Sequence, residues 1–544
     1  MKDKQKLFYI LIPLLMAVVF IGGMLTGGFF SPRDGNRKQD KVRTIMGLID
    51  REYVDKIDTD SLLEATIPDL LAKLDPHSTY IPAQELQASN EDLDGSFGGI
   101  GVVFSMINDT ATVMEVVSGG PGERVGLLPG DRIILINDST VAGINMRSEN
   151  IRSQLKGPAG TIVKVEVKRS SSPKLLTYEI ERGDVPVTSI DAAYMIAPET
   201  GYVKVNKFAK NTYMEFMNAM VNLKAQGAER FIVDLRGNSG GYLESAVLMA
   251  NEFLPAGSPI VSTHGRTDMS DSMMGSDGSG GFQNEDLIVL IDEASASASE
   301  IFSGAMQDND RGLIVGRRSF GKGLVQNQIL LPDSSAVRLT IARYYTPSGR
   351  SIQKPYIRGA NDSYQMEIYD RINHGEGIYA DSVKLDKSQV YLTLGGREVY
   401  GGGGIMPDVY VIGDTVGITT YYLNVFNAGL LHSFAFNFAD THRDELSHAA
   451  DVDELLAILP SDDAILNEFV TYSQIQGGIA PRWYYINISR DLIVNQLKSL
   501  IASDIIGQSA LYEVSNLSDE VVKKALKELQ QGKATYPIGQ IVDN

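Results

Sequence analysis

The sequence predicts a multidomain α/β protein, and three observations lead to that class. The chain has 544 residues, enough for three or four domains and a sizeable core. From about residue 186, strand-like and helix-like runs alternate, as in a parallel sheet with crossover helices. Between about 95 and 181 the runs are short and strand-like, which indicates a separate β-rich module.

In chain order, Val42, Ile45, Met46 and Ile49 recur at helical spacing, as do Ile67, Leu70, Leu71 and Leu74. Pro76 stops the second run, because the residue before a proline avoids the helical region. A glycine-rich patch, Gly95 to Val102, opens the β-rich module, whose strands are expected over 112–117, 132–136 and 162–168. In the alternating region 201–205 and 231–235 read as strands, and 212–224 as a helix closed by Gly227. Gly240-Gly241 opens a further helix through Leu254, and 337–345 reads as another strand. Residues 265–284, rich in Gly, Ser, Asp and Met, read as a mobile surface loop, and 356–400 carries no clear pattern. Two amphipathic faces, Ile493/Leu497/Leu500/Ile501 and Val521/Ala525/Leu526/Leu529, mark a mainly helical C-terminal region.

Composition narrows the function. Lys+Arg of 49 against Asp+Glu of 68 leaves a net charge of −19, which disfavours nucleic-acid backbones and anionic surfaces. The absence of cysteine excludes disulfides, thiol catalysis and cysteine metal sites. Leu7 to Phe30 contains no charged residue and follows Lys2, Lys4 and Lys6. About 20 apolar residues span a bilayer, so residues 1–30 are expected to be a retained signal anchor rather than a cleaved signal peptide. Arg33, Arg37, Lys38, Lys41 and Arg43 follow closely and leave the orientation ambiguous.

The chemistry concentrates in three turns. Ser297 lies in Ala294–Glu300 after the apolar run Leu287–Ile291, and Lys322 lies in Ser319–Gly323 after Leu313–Val315. Strand ends of this kind gather functional sites. A hydroxyl beside a desolvated amine is a nucleophile with its general base, which points to acyl-bond hydrolysis. Ser297-x-x-Glu300 is also a capping box ahead of a helix, and the two roles are compatible because a helix N-terminus offers free N–H groups to an oxyanion. A lysine between glycines is commonly a solvated loop residue; Phe320, Leu324 and Val325 supply the apolar shelter that would lower its pKa. The third turn, Asp234-Leu235-Arg236-Gly237-Asn238-Ser239-Gly240-Gly241, reads either as a polar turn or as a backbone donor to a substrate carbonyl. All six histidines lie outside these turns, so nothing local supports a Ser-His-Asp arrangement.

With these elements in place, the chain resembles the carboxy-terminal processing (tail-specific) proteases of the S41 serine peptidase family. The resemblance runs in order from about 40 to 412, through Tyr53-Val54-Asp55, Leu74-Asp75-Pro76-His77-Ser78, Gly99-Ile100-Gly101-Val102 and Gly126 to Asp131. It continues through Asp234 to Gly241, Ser295 to Glu300, Gly321 to Gln326, Tyr344 to Arg350 and Gly404 to Asp408. Met406 stands where a small polar residue is frequent. The resemblance implies Ser297 as nucleophile, Lys322 as general base, Gln326 as the residue orienting the lysine, and the N–H groups of Gly241 and Ala298 as the oxyanion hole. Gly240, adjacent to Gly241, keeps the first of these donors open. It also implies a PDZ domain over 94–182, whose Gly99, Ile100, Gly101 and Val102 receive a peptide's terminal carboxylate.

The implied organisation is a helical segment over 31–93, the inserted PDZ domain, a crotonase-like α/β protease core over 183–412, and a helical module of unknown role over 413–544. The implied activity is a serine endopeptidase of the bacterial cell envelope, inner-membrane anchored with its catalytic part in the periplasm, or exported after signal cleavage. It would need no metal and no cofactor, and it would act on proteins through their C-terminal tails, with a homo-oligomer or an adaptor protein left open. Two alternatives remain at this point: an inactive PDZ scaffold, and an acyl-CoA enzyme on the crotonase-like core.

Overall fold

The computed structural model describes residues 36–117, 119–376 and 388–534. The apolar 7–30 segment lies outside them; among the described residues no helix is long and apolar enough to cross a membrane. The chain divides after Leu71 into two compact units. The first contains the helix Asn36–Glu52 and all but the last residue of the helix Thr59–Ala72. Everything below concerns the second unit.

Its centre is a six-stranded sheet in the order β1 (Ile190–Ala197), β2 (Thr200–Val205), β3 (Arg230–Asp234), β4 (Asp286–Ile291), β5 (Leu313–Gly316) and β6 (Val409–Tyr410). β1 pairs antiparallel to β2, and every later pairing is parallel. Parallel strands need helices on both faces, so their residues are apolar on both sides. Val203, Val205, Phe231, Val233, Leu287, Val289, Ile291 and Ile314 bury one face against α1 (Thr212–Ala225), α2 (Leu243–Asn251) and α3 (Ala298–Asp308). The alternate residues Tyr202, Ile232, Ile288, Leu290, Leu313 and Val315 meet Val521, Val522, Ala525 and Leu529 of α4 (Glu520–Gln530).

That second face corrects an expectation. Residues 413–544 read as one appended module, but α4 closes the central sheet and belongs to the core. Sequence periodicity identified its apolar face without saying which surface it covers. Tyr512 and Asn516 extend the attachment through hydrogen bonds to Asp191 (2.8 Å) and the Tyr194 hydroxyl (2.8 Å). The helices between, Thr420–Asn427 to Trp483–Ile505, build their own core around Phe434, Phe469, Ile486, Ile493 and Leu497.

A second sheet is organised on the long strand Ala336–Tyr345, which pairs with Thr79–Ile81, Pro259–Gly265 and Leu324–Leu330. The region 265–284 is more ordered than its composition suggests. Ser272–Gly275 pairs with Pro259–Gly265, Phe282 is buried, and Asn251 anchors Ser276 and Asp277. Here the polar residues bond backbone and one another. The unassigned stretch after 356 contributes a helix, Asn361–Asn373, and a hairpin of Val390–Leu392 with Glu398–Tyr400.

The β-rich module is an antiparallel sheet of Val102–Ile107, Thr110–Val116, Arg132–Ile136, Ile162–Lys168 and Leu176–Glu181, closed by the helix Ser148–Leu155. Val113, Ile133, Val165 and Ile180 form its buried centre. Its entry and exit pair as a two-stranded ribbon, with Phe97 opposite Val185.

Leu529→Ala is expected to lower stability by about 2–4 kcal/mol, the usual cost of truncating a buried leucine. Chemical denaturation checks this; an unchanged midpoint would mean that α4 does not close the core.

Candidate active site

Because β3, β4 and β5 are parallel, the turns that follow Asp234, Ile291 and Gly316 emerge at one edge of the sheet. This places the three chemically suggestive turns together, in accord with the rule for open α/β sheets. Ser297 is the last residue before α3 and has φ +55°, a left-handed value rare outside glycine. Backbone held in such a region costs about 1–3 kcal/mol and persists only where surroundings enforce it.

The neighbouring serines have other tasks. Ser295 donates to the Leu235 carbonyl at 2.8 Å and Ser299 to the Asn238 carbonyl at 2.9 Å, so both fasten the third turn. The Ser297 hydroxyl donates to no group among the described residues.

Glu300 is fully buried and its carboxylate receives four donors. One oxygen accepts the Ser319 hydroxyl (2.5 Å) and the Gly321 N–H (2.7 Å); the other accepts the N–H groups of Ser297 (2.9 Å) and Lys322 (2.9 Å). Burial pushes its pKa up to about 7 against the pull of these donors. A single carboxylate thus joins the backbone of the serine to the backbone of the lysine. Tyr344 repeats the junction on the carbonyl side, its hydroxyl lying on the carbonyls of both Ser297 (3.2 Å) and Lys322.

The third turn separates its two glycines. The Gly240 N–H is committed to Asn238 Oδ1 at 2.8 Å, and a Cβ on Gly240 would lie 2.7 Å from Ser297 Cβ. Gly241 has φ +142°, and a Cβ there would lie 2.0 Å from the Phe208 carbonyl, so only glycine fits. Among the described residues neither the Gly241 N–H nor the Ala298 N–H has an acceptor. Asn238 holds the turn from below by donating to the Val205 carbonyl (3.0 Å) and accepting the Ala296 N–H (3.0 Å) on its own carbonyl.

Lys322 is largely buried, and burial lowers its pKa; nearby Arg338 lowers it further, while Glu300 and Asp75 oppose the shift. The structure holds no direct hydrogen bond between the Ser297 and Lys322 side chains. Gln326 does not bond the lysine either: its amide donates to the Leu324 carbonyl (3.2 Å) and to Thr340 Oγ1 (3.4 Å). Thr340 in turn donates to Asp75 at 3.0 Å. Asp75 also accepts from Ser78 Oγ (2.7 Å) and from the N–H groups of His77 and Ser78. One histidine does approach. Burial and the nearby Lys322 charge push the His77 imidazole down to about 4, so it is neutral, and its Nε2 lies 3.0 Å from the Tyr364 hydroxyl. Tyr364 continues to Gln353, whose Oε1 accepts the Gly323 N–H at 2.8 Å.

Below the third turn, the Asp234 carboxylate accepts the Tyr202 hydroxyl (2.6 Å) and Arg236 Nη2 (2.6 Å), with Lys204 Nζ at 3.5 Å. Burial works against its charge, but Arg236 and Lys204 outweigh it and hold its pKa well below the carboxylate range.

In the β-rich module a cavity of about 350 Å³ is lined by Phe97, Gly99 to Phe104, Leu155 and the basic residues Arg152 and Lys156. Among the described residues the N–H groups of Ile100 and Gly101 have no acceptor there. Lys156 pairs with Glu91 at 2.5 Å and lies 4.4 Å from the Phe97 ring centroid. No group of three or more acidic or histidine side chains able to hold a metal occurs among the described residues.

Sequence reading brought Ser297, Lys322, Gly241 and Ala298 to one place but missed what fastens them. Glu300 read as a cap and is also the clamp on the lysine turn. Asp75, His77 and Tyr344 reach the site from segments that sequence reading linked only as family motifs, and Tyr364 comes from the 356–400 stretch, where no pattern signalled it.

Residues 199–360 match the model of peptidase family S41, residues 98–180 that of the PDZ domain, and residues 421–507 a family of unknown function, DUF8443. The chain is 36% identical to a carboxy-terminal-processing protease of Bartonella bacilliformis, covering 58% of this chain and 70% of that one. It is 32% identical to the carboxy-terminal processing protease CtpB of Bacillus subtilis, over 65% of this chain and 73% of that one. A probable CtpA-like serine protease of Staphylococcus aureus is 30% identical, over 64% and 70% of the two chains. With its α/β core, its PDZ domain and this shared length, the chain belongs to the carboxy-terminal processing proteases, serine peptidases of family S41.

Proposed function

We propose that this enzyme is an endopeptidase of the bacterial cell envelope that cleaves proteins near their C-termini with a Ser297/Lys322 dyad. The observation that carries the reading is the junction at Glu300, which seats the serine and the lysine on one carboxylate beside two N–H groups without acceptors. Neutral Lys322 takes the Ser297 Oγ proton, and Oγ attacks the scissile carbonyl carbon. The resulting oxyanion lies against the N–H groups of Gly241 and Ala298. As the C–N bond breaks, the Lys322 ammonium returns the proton to the leaving amine. Lys322 then deprotonates a water, which attacks the acyl carbon and frees Ser297.

The low pKa that burial gives Lys322 supports its role as base, since an ordinary lysine is almost wholly protonated at neutral pH. Gln326, held by Thr340 in the free enzyme, is assigned to orienting the amine once substrate draws it toward Ser297. Alone among the clustered serines, Ser297 has a hydroxyl free to donate.

Tail recognition falls to the PDZ cavity. Its apolar floor of Phe97, Ile100, Val102 and Leu155 suits an apolar terminal side chain, and the N–H groups of the Gly99–Val102 turn suit the terminal carboxylate. Lys156 adds a cation at that end. Envelope placement rests on the charge-free stretch Leu7–Phe30, read as the inner-membrane anchor.

Incubating the full chain with an unfolded reporter bearing an apolar C-terminal tail tests the reading. Cleavage is expected from the parent and from neither Ser297→Ala nor Lys322→Ala, with both variants folded. Cleavage by either variant at the parental rate would remove the dyad, and tail binding without cleavage by the parent would leave a scaffold. Lys156→Met is expected to weaken a free-acid tail peptide about fivefold or more while leaving its C-terminal amide unchanged; equal weakening of both would take the carboxylate away from Lys156.

A further inference from the structure

Arg236 opens the turn that ends at Gly241, and two carboxylates from separate elements hold it. Its Nε lies 3.1 and 3.0 Å from the Asp234 oxygens and its Nη2 at 2.6 Å, while its Nη1 lies 2.7 Å from Asp519 Oδ2. Asp519 is 283 positions later in the chain and is the N-cap of α4. Its two oxygens divide the work: Oδ1 accepts the N–H groups of Val521 (2.8 Å) and Val522 (3.0 Å), and Oδ2 takes the guanidinium. The cap is rigid because Val521, Val522, Ala525 and Leu529 are buried on the central sheet. Lys204 closes the other side by donating to the Arg236 carbonyl.

The turn needs such anchoring. Gly237, Gly240 and Gly241 all have positive φ, so the stretch has few side chains of its own to pack. Its other ties run from the Gly237 N–H to Asp292 Oδ1 (2.9 Å), through the buried Asn238 side chain, and to the carbonyls of Leu235, Asn238 and Gly240, which accept from Ser295, from Ser299 and Ala296, and from Phe208; none of these holds the Arg236 side chain. Bidentate, charge-assisted contacts to arginine fix direction as well as distance.

We propose that Asp519 is a positioning residue for the reaction: through Arg236 it sets the placement of the Gly240–Gly241 turn and makes the C-terminal helix part of the active-site framework. The proposal rests on the reading of the Gly241 N–H as an oxyanion donor. A donor displaced by a fraction of an ångström stabilises the transition state less while leaving remote substrate contacts untouched, so the effect falls on kcat rather than KM.

Asp519→Asn isolates the contact, because asparagine caps a helix as well as aspartate does but lacks the charge. In the full chain kcat is expected to fall about tenfold with KM and melting temperature near parental. Glu520→Gln removes an adjacent charge that pairs with Lys523 on the same helix, and parental kcat is expected of it. In an Arg236→Gln background, Asp519→Asn is expected to add no further loss, as residues acting through one contact are not additive. Backbone amide exchange over 236–241 provides a readout independent of turnover and is expected to quicken in Asp519→Asn. Parental kcat with parental exchange, or a full additional loss in the Arg236→Gln background, would overturn the proposal. Should Ser297→Ala prove as active as the parent, the reading of the site fails instead, and unchanged exchange would still count against Asp519.

Discussion

A carboxylate removed from water must be repaid in hydrogen bonds, and Glu300 collects four of them from two separate turns. Each oxygen takes two donors, so every favourable acceptor direction is used and the ionised form is the one the geometry fits. Two of the donors are the backbone N–H groups of the proposed nucleophile and base. The separation of the two turns is therefore set by the size of one carboxylate, and the left-handed backbone at Ser297 persists because this contact and α3 hold it on both sides. Tyr344 fastens the same two residues through their carbonyls.

The junction works only because the sheet delivers its parts to one edge. Parallel strands put the ends of β3, β4 and β5 side by side, and burial on both faces makes that edge rigid. One face is closed by helices within the S41-matching region and the other by α4, after the segment of unknown function. That segment is consequently enclosed by core elements, between β6 and α4. The oxyanion turn inherits constraints from both faces: Asn238 reaches toward β2 and the serine turn, and Arg236 reaches to the cap of α4.

How much of this the sequence reveals depends on the range of each contact. Elements with strong local patterning, such as the strand 162–168 and the helix starting at Thr212, are read almost to the residue. Ser297, Lys322 and Gly241 stand out because each follows an apolar run and sits among glycines or serines. What stays hidden is tertiary. Glu300 satisfies a local capping pattern so well that nothing signals the three donors it takes from the lysine turn. His77 and Tyr364 lie 287 positions apart, and their meeting beside Lys322 has no trace in spacing. The 265–284 stretch fails the other way, since Gly, Ser and Asp imply mobility until Asn251 and the Pro259–Gly265 strand supply partners.

The claim that one buried carboxylate sets the nucleophile against its base is tested most directly by the rate at which a fluorophosphonate acylates Ser297, followed against pH in the parent and in Glu300→Gln. Glutamine offers one acceptor oxygen, so its NH2 faces either the N–H groups of Ser297 and Lys322 or the Ser319 hydroxyl and the Gly321 N–H, and in either orientation at least one N–H loses its acceptor. The parental rate is expected to decline as pH falls through about 7, because Glu300 then loses its charge. The folded Glu300→Gln protein is expected to react at least about tenfold more slowly across the range. Parental rates and an unchanged pH profile in that variant would contradict the account.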